Sequence, residues 1–260
     1  MNNRGFTLVE LVVAIAISSI VVVFTTMFIG APIGAYETHS RRAALVADTS
    51  GAWPLLETDL RRSLPNSLRA RRNGNIVVLE MLPVLGVARY KTSPSAVSIT
   101  TSGAYAGVAP AYLSVNNLLP ANAYALSGSM ANASNFSVAP GGATDEQTIG
   151  LNPAPVFGPD SPKRRLYFVA RPVTYLCDEG AGTLQRYANY TLAPAQTARD
   201  TPGELTGAGA AVELVTQGLT SCNFTVVDGI QAQNAAVRLT TVRNGDTVTL
   251  LHSSHSDYLP

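Results

Sequence analysis

The sequence predicts an α+β protein, with a long N-terminal helix packed on an antiparallel β-sheet head. Three observations predict this class. An apolar run extends from Phe6 to Ile29, and Glu10 is its only ionisable side chain. An amphipathic stretch follows as far as Leu64. Beyond it, short β-branched and aromatic runs are bounded by turn residues, as strands usually are.

The apolar run is long enough to cross a membrane, because about 20 residues at about 1.5 Å each span the hydrocarbon core. A carboxylate inside such a run costs roughly 2.5 kcal/mol or more, so Glu10 needs a partner. Cleavage between Gly5 and Phe6 would create that partner, the Phe6 ammonium group. Opposite charges about 4 Å apart attract by about 4 kcal/mol at an effective dielectric of about 20. A pair between neighbouring chains would set the axial register of packed helices.

The run Arg4-Gly5-Phe6-Thr7-Leu8-Val9-Glu10-Leu11 resembles the class III signal of type IV pilins and type II secretion pseudopilins. The resemblance implies a pilin-like fold with a leader peptide (1–5) and a transmembrane helix (6–29). It also implies that prepilin peptidase cuts after Gly5 and N-methylates Phe6. Glu10 would then align the subunit in a helical filament.

Two simpler interpretations compete. A secretory signal peptide has an apolar core of 7 to 15 residues. Ile33-Gly34-Ala35 resembles its exit site, but this apolar run is longer and contains Glu10. A plain single-pass anchor explains the length but neither Gly5 nor Glu10. The basic residues beyond the run argue mildly for the opposite orientation, yet the leader motif predicts an extracytoplasmic head.

The next stretch, 30–65, is predicted to continue the helix in amphipathic form. Its apolar stripe recurs every three or four residues: Leu45, Thr49, Trp53, Leu56, Leu60 and Leu64. Pro54 lies within the stripe, and an interior proline removes a hydrogen bond and clashes with the preceding turn. We therefore expect a kink near Gly51 to Pro54.

The head, 66–260, contains the predicted strands. These are 75–80, 96–101, 165–170, 173–177, 183–190, 220–227, 236–242 and 247–252. Asn244-Gly245-Asp246 predicts a hairpin turn. Two stretches rich in Gly, Ala and Pro, 102–162 and 192–209, are expected to be long loops, and the first is either a partner-binding loop or surface decoration.

The segment 58–69, together with 173–178 and 182–187, resembles MshO-type minor pilins of MSHA pilus biogenesis, as does the placement of Cys222. The resemblance implies a structural subunit in pilus assembly or initiation. Its partners would be prepilin peptidase, other major and minor pilins, the inner-membrane assembly platform and membrane lipid. A minor pseudopilin of a type II secretion system is the alternative.

The two cysteines, Cys177 and Cys222, are expected to form a disulfide in an oxidising compartment, with two free buried thiols as the alternative. Closing the loop between them would stabilise the fold by about 4 kcal/mol in the chain-entropy model.

The sequence gives little sign of a catalytic, phosphate-binding or metal-binding site. The sequence has no G-x-S-x-G, H-E-x-x-H or Gly-rich phosphate loop. His252 and His255 would point in opposite directions on a strand, and the acids at 145–146 and 160 lack EF-hand spacing. The basic clusters 69–72 and 163–165 are predicted to be solvated turns rather than contacts to DNA phosphates. A net charge of +1 also gives no broad surface for nucleic acid. We expect no enzyme, cofactor, metal or nucleic-acid partner.

Overall fold

The computed structural model describes residues 7–103, 105–158, 160–228, 233–243 and 245–255. Two compact units divide the chain, Met1–Ala47 and Asp48–Pro260. The helices are α1 (Leu8–Ser50), α2 (Trp53–Arg61), α3 (Pro120–Tyr124) and α4 (Pro202–Gly207), with a 3-10 turn at Gln196–Ala198. The strands are β1 (Arg69–Asn73), β2 (Ile76–Met81), β3 (Val84–Tyr90), β4 (Ser98–Ser102), β5 (Tyr112–Ser114), β6 (Met130–Asn132), β7 (Ser137–Pro140), β8 (Glu146–Gly150), β9 (Arg165–Val169), β10 (Val173–Asp178), β11 (Thr183–Ala188), β12 (Ala211–Gln217), β13 (Leu219–Asp228), β14 (Gln233–Arg243) and β15 (Asp246–His255).

The segment of α1 from Leu8 to Phe28 has 21 residues and a mean hydropathy of 2.6, and none of its most apolar window is buried within the chain. Several hydroxyl groups of this segment bond to the helix backbone. The Ser19 hydroxyl donates to the Ala16 carbonyl at 2.8 Å, and the Thr25 hydroxyl donates to the Val21 carbonyl at 2.7 Å. Because these hydroxyls are satisfied internally, the helix suits a lipid environment or the packed interior of an assembly.

The helix is interrupted near the position where a kink was expected. α1 ends at Ser50, a turn occupies Gly51 and Ala52, and α2 begins at Trp53. Pro54 therefore lies in the first turn of α2, where a missing N–H group leaves no bond unmade. A single amphipathic helix over 30–65 is thus not what forms, because the proline starts a second helix that ends at Arg61.

The first sheet has five antiparallel strands in the order β1-β2-β10-β11-β12, and a separate sheet has the order β13-β14-β15. Leu56 and Leu60 of α2 are buried in one cluster with Tyr175 of β10 and Val237 of β14. This cluster is the core between the helix and both sheets. The α+β class predicted from the sequence is confirmed.

All eight predicted strands are present. β2, β4, β9, β10, β11, β13, β14 and β15 overlap the predicted runs. β14 and β15 form the expected hairpin, with Arg243 opposite Asp246. Gly245 adopts φ 82°, which glycine accepts readily in a tight turn, whereas Asn244 lies outside the described residues.

The stretch 102–162 is not the long irregular loop that the sequence led us to expect. It contributes β5, β6, β7, β8 and α3, and its strands complete a third sheet in the order β6-β5-β9-β3-β4-β8-β7. This sheet has its own core, which includes Ile99, Leu113 and Phe168. The new strands have only three to five residues each, and long-range pairing rather than local pattern determines them.

The stretch 192–209 is also more regular than expected. It contains the 3-10 turn and α4. Thr201 and Glu204 begin α4 with a capping box: the Glu204 N–H donates to the Thr201 hydroxyl, and the Thr201 N–H donates to the Glu204 carboxylate. This segment is a folded connection between β11 and β12.

A buried ion pair lies within the five-stranded sheet. Arg69 Nε donates to Glu80 Oε2 at 2.6 Å, and the Glu80 side chain is fully buried. The Tyr190 hydroxyl donates to the other carboxylate oxygen at 2.8 Å, and Thr174 contacts that hydroxyl at 2.6 Å. Burial raises the pKa of Glu80, and the Arg69 charge opposes the rise.

Arg69 also connects this sheet to two other segments. Its terminal nitrogens donate to the carbonyls of Ala193 and Pro194, at 2.9 and 2.7 Å. Its guanidinium carbon lies 3.5 Å from the centroid of the Tyr124 ring in α3, a cation–π contact. One side chain therefore joins β1, α3 and the chain after β11.

Replacing Arg69 with alanine should lower the free energy of unfolding by about 3–5 kcal/mol, because it leaves the buried Glu80 carboxylate without its counter-charge. Arg61→Ala is the matched control, since Arg61 is 70% exposed and forms a surface i,i+4 pair with Glu57. That control should cost less than about 1 kcal/mol. Chemical denaturation of the full chain in detergent, followed by fluorescence of the single tryptophan, Trp53, measures both. Equal losses would contradict a structural role for the buried pair.

Candidate processing and assembly site

The residues expected to flank the cleaved bond, Gly5 and Phe6, lie outside the described residues. Thr7 is the first residue described, and α1 begins immediately after it. The Glu10 N–H donates to the Thr7 hydroxyl oxygen at 3.2 Å, while the Thr7 N–H donates to Glu10 Oε2, also at 3.2 Å. The Thr7 hydroxyl approaches the same carboxylate oxygen at 3.2 Å.

These reciprocal bonds are a capping box, which satisfies two N–H groups that the first helical turn leaves without partners. A negative charge in the first turn also interacts favourably with the helix dipole. Glu10 is exposed, and among the described residues its second oxygen, Oε1, makes no hydrogen bond. The carboxylate can therefore keep its cap and accept a cation at the same time.

Sequence reasoning treated Glu10 only as a counter-charge and missed its capping role. The signal was present, because Thr7-Leu8-Val9-Glu10 has the spacing of a capping box before an apolar run. The structure thus gives Glu10 a local reason to lie three residues after Thr7.

The two cysteines are joined in a disulfide between β10 and β13, with a sequence separation of 45. The ion pair of Arg72 and Glu179 lies next to this disulfide. Arg72 binds Glu179 at 2.7 Å, and it also donates to the Cys222 carbonyl at 2.7 Å. The Cys222 N–H donates to Glu179 at 2.9 Å. The hydrogen bond from Arg72 lowers the pKa of Glu179. The disulfide and the ion pair together tie the five-stranded sheet to the three-stranded sheet.

The first basic cluster is a strand rather than the solvated turn expected from the sequence. Arg69, Arg71 and Arg72 all belong to β1. They pair with Glu80, Asp200 and Glu179, respectively, at 2.6 to 2.7 Å. These acids neutralise the arginines, so the cluster offers little free positive charge to a phosphate backbone.

The other titratable candidates are dispersed. The ring of His252 packs on Trp53 with centroids 3.8 Å apart, and its Nε2 lies 3.9 Å from a Glu57 oxygen. Glu146 pairs with Lys91. Asp160 accepts a 3.4 Å bond from the Tyr90 hydroxyl. Within the described ranges, no group of three His, Cys, Asp or Glu side chains is placed to hold a metal.

Thr7→Ala should remove the capping box and speed hydrogen exchange of the Glu10 amide roughly fivefold, the equivalent of about 1 kcal/mol for a lost N-cap. Thr7→Ser keeps the hydroxyl and should exchange at the original rate. NMR of the full chain in detergent micelles measures both variants. An unchanged rate in Thr7→Ala would show that the hydroxyl does not hold the first turn.

Comparison with known proteins finds a match at the N-terminal end of the chain, where the processing site is expected. Residues 1–26 match the family model described as the prokaryotic N-terminal methylation motif. No curated protein and no solved structure matches the chain. The motif is that of structural subunits processed by prepilin peptidase, and with the apolar helix it fits a membrane anchor carrying a periplasmic head. The motif, the helix and the α+β head together support a precursor of the type IV pilin or pseudopilin kind.

Proposed function

We propose that this chain is a minor type IV pilin of the MshO type, a non-enzymatic subunit that takes part in assembly or initiation of an MSHA pilus. The observation that carries the proposal is the methylation motif in front of an exposed apolar helix that contains one carboxylate. A membrane anchor alone needs neither that motif nor a charge in its first turn.

Processing begins at the leader, residues 1–5. Prepilin peptidase cleaves after Gly5 and methylates the new amine of Phe6. The helix, 6–29, then holds the subunit in the inner membrane, with the head, 66–260, on the extracytoplasmic side. The apolar side chains of this helix have no core of their own in the single chain, so transfer into a filament of similar helices buries them against protein.

Glu10 guides that transfer. Its Oε2 caps its own helix through Thr7, and its Oε1 accepts the Phe6 amine of a neighbouring subunit. An attraction of about 4 kcal/mol at an effective dielectric of about 20 favours one axial register over others. The cap keeps the carboxylate oriented before the neighbour arrives.

The head suggests a low-abundance subunit rather than a bulk one. It carries a seven-stranded sheet and a separate three-stranded sheet beside the five-stranded sheet that packs on α2. Such additional surface suits contacts with other minor pilins or the assembly platform. A minor pseudopilin of a type II secretion system is the second candidate, because it would use the same motif and the same type of head.

Glu10→Ala should leave cleavage and methylation intact but lower the number of surface filaments about tenfold or more, because the register pair is lost. Thr7→Ser is the matched control, since it keeps both the capping hydroxyl and the Glu10 carboxylate, and it should retain filaments. Mass spectrometry of the mature N-terminus and electron microscopy provide the two readouts. Normal filament numbers with Glu10→Ala would contradict the register role, and an N-terminus at Tyr36 or an uncut Met1 would contradict the processing step.

Deleting the gene distinguishes the two machines. Surface filaments are counted by electron microscopy, and secreted enzymes are assayed in the medium of the same strain. Loss of filaments with normal secretion supports a minor pilin. Intact filaments with enzymes retained in the periplasm would instead identify a secretion pseudopilin.

A further inference from the structure

An open cleft of about 590 Å³ lies where the chain passes from the seven-stranded sheet to the five-stranded sheet. The passage is short: β9 ends at Val169 and β10 begins at Val173. The walls come from strands of the seven-stranded sheet and from the segments that follow β9 and β11. Tyr112 and Asn132 come from β5 and β6, and Asn189 follows β11. Clefts between two packed bodies are frequent ligand sites.

The cleft contains one cation and several neutral hydrogen-bonding groups. Arg171 supplies the charge, Asn132 and Asn189 supply amides, and Ser134 supplies a hydroxyl. The Thr191 hydroxyl also lines the cleft but already accepts a bond from Arg199 at 3.2 Å. No carboxylate is among the residues that line it. In the part of the chain that the structure describes, the Arg171 side chain forms no ion pair or hydrogen bond. Arg69, Arg71, Arg72 and Arg186 in the neighbouring sheet are all paired with acids.

The backbone that carries these groups is fixed. The Ala170 N–H donates to the Pro83 carbonyl at 2.8 Å, immediately before Arg171. The Asn189 N–H donates to the Pro172 carbonyl at 3.1 Å, immediately after it. Asn189 itself adopts φ 66°, a left-handed conformation that asparagine accepts more readily than most residues. A charged group held between two such bonds loses little backbone entropy when a ligand binds.

The apolar wall is rigid and neutral. Tyr112 is buried, and burial raises the pKa of its phenol, while a backbone bond at Leu192 and the Arg171 charge oppose the rise. Leu85 lies beside it and is 41% exposed. The wall therefore offers a partly apolar surface next to a free guanidinium group, but no nucleophile or base.

We propose that this cleft binds a carboxylated sugar at the end of an oligosaccharide. The guanidinium of Arg171 matches a carboxylate in bidentate geometry. The amides and hydroxyls match ring hydroxyls, and Leu85 and Tyr112 match the apolar face of a sugar ring. A single free cation is too few for a polyphosphate backbone, whose binding grows with the number of phosphates neutralised. Neutral amides and a hydroxyl beside one cation suit a sugar ring better than an acidic peptide.

The test uses the full chain in neutral detergent and calorimetric titration. The probes are trisaccharides that end in a uronic acid or a sialic acid, each beside its methyl ester, which removes the charge. The wild-type chain should bind at least one acid and bind its ester about tenfold more weakly or worse, because a charge-assisted pair is lost. Arg171→Gln should weaken binding of the acid to the level of the ester.

Arg238→Gln is the matched control, since Arg238 is an exposed arginine of β14 outside the cleft, and it should bind as the wild type does. Thermal unfolding must be the same for both variants, so that a loss reflects the cleft and not the fold. Failure of all the acids to bind, or equal binding by Arg171→Gln, would overturn the proposal. A short neutral peptide with a free C-terminal carboxylate is titrated in parallel, and binding of that peptide alone would reassign the cleft to a peptide end. None of these outcomes depends on whether the subunit serves a pilus or a secretion system.

Discussion

The buried pair of Arg69 and Glu80 is the interaction on which the head depends most. Removing both charges from water is expensive, and their attraction compensates only if the remaining polar atoms are also bonded. The structure meets that condition for Glu80, whose second oxygen binds Tyr190. It meets it for Arg69 through two carbonyls and an aromatic ring. The pair itself lies within the β1–β2 hairpin. Its other partners, Tyr190 and Pro194, are distant in sequence, so the whole network forms only when each segment is in place.

The N-terminal helix leaves its apolar side chains exposed, whereas the head buries its own. The most apolar window of α1 is not buried within the chain, and several of its hydroxyls bond to the helix backbone, as a segment in lipid or in a helical assembly requires. The head buries its apolar residues in several clusters of its own. Assembly and surface recognition can therefore reside in different parts of one chain. Under the proposed function, the N-terminal motif would serve assembly, and the sheets would present the surface for recognition.

The chain contains few charged residues. Only 13% of the residues are charged, and many of the acids and arginines of the head hold elements together. Asp59 illustrates this, since it accepts bonds from Tyr175 and Arg186 at 2.8 and 2.7 Å and so fastens α2 to the five-stranded sheet. Against this background, an unpaired arginine in a cleft without acids is notable. Glu10 is comparable, because its carboxylate has a local partner and still keeps one oxygen for a second.

The sequence by itself determined the features that depend on local pattern. The run from Gly5 to Glu10 defines a processing motif within a few residues, the apolar helix needs only composition and length, and the long strands β13, β14 and β15 alternate over many residues. The effect of Pro54 was also foreseen, because a proline acts on its own turn.

The tertiary structure alone decided the features that depend on distant partners. β5 and β6 have three residues each, and they become strands only because β5 pairs with β9 and β6 pairs with β5. In the sequence, β1 is recognisable only as a basic cluster, because the acids that pair with its arginines lie elsewhere in the chain. These acids are Glu80, Asp200 and Glu179. The cleft around Arg171 likewise exists only where two sheets meet. Short polar segments carry too little periodicity to specify a strand, so the pairing energy and the charges of remote segments specify it instead.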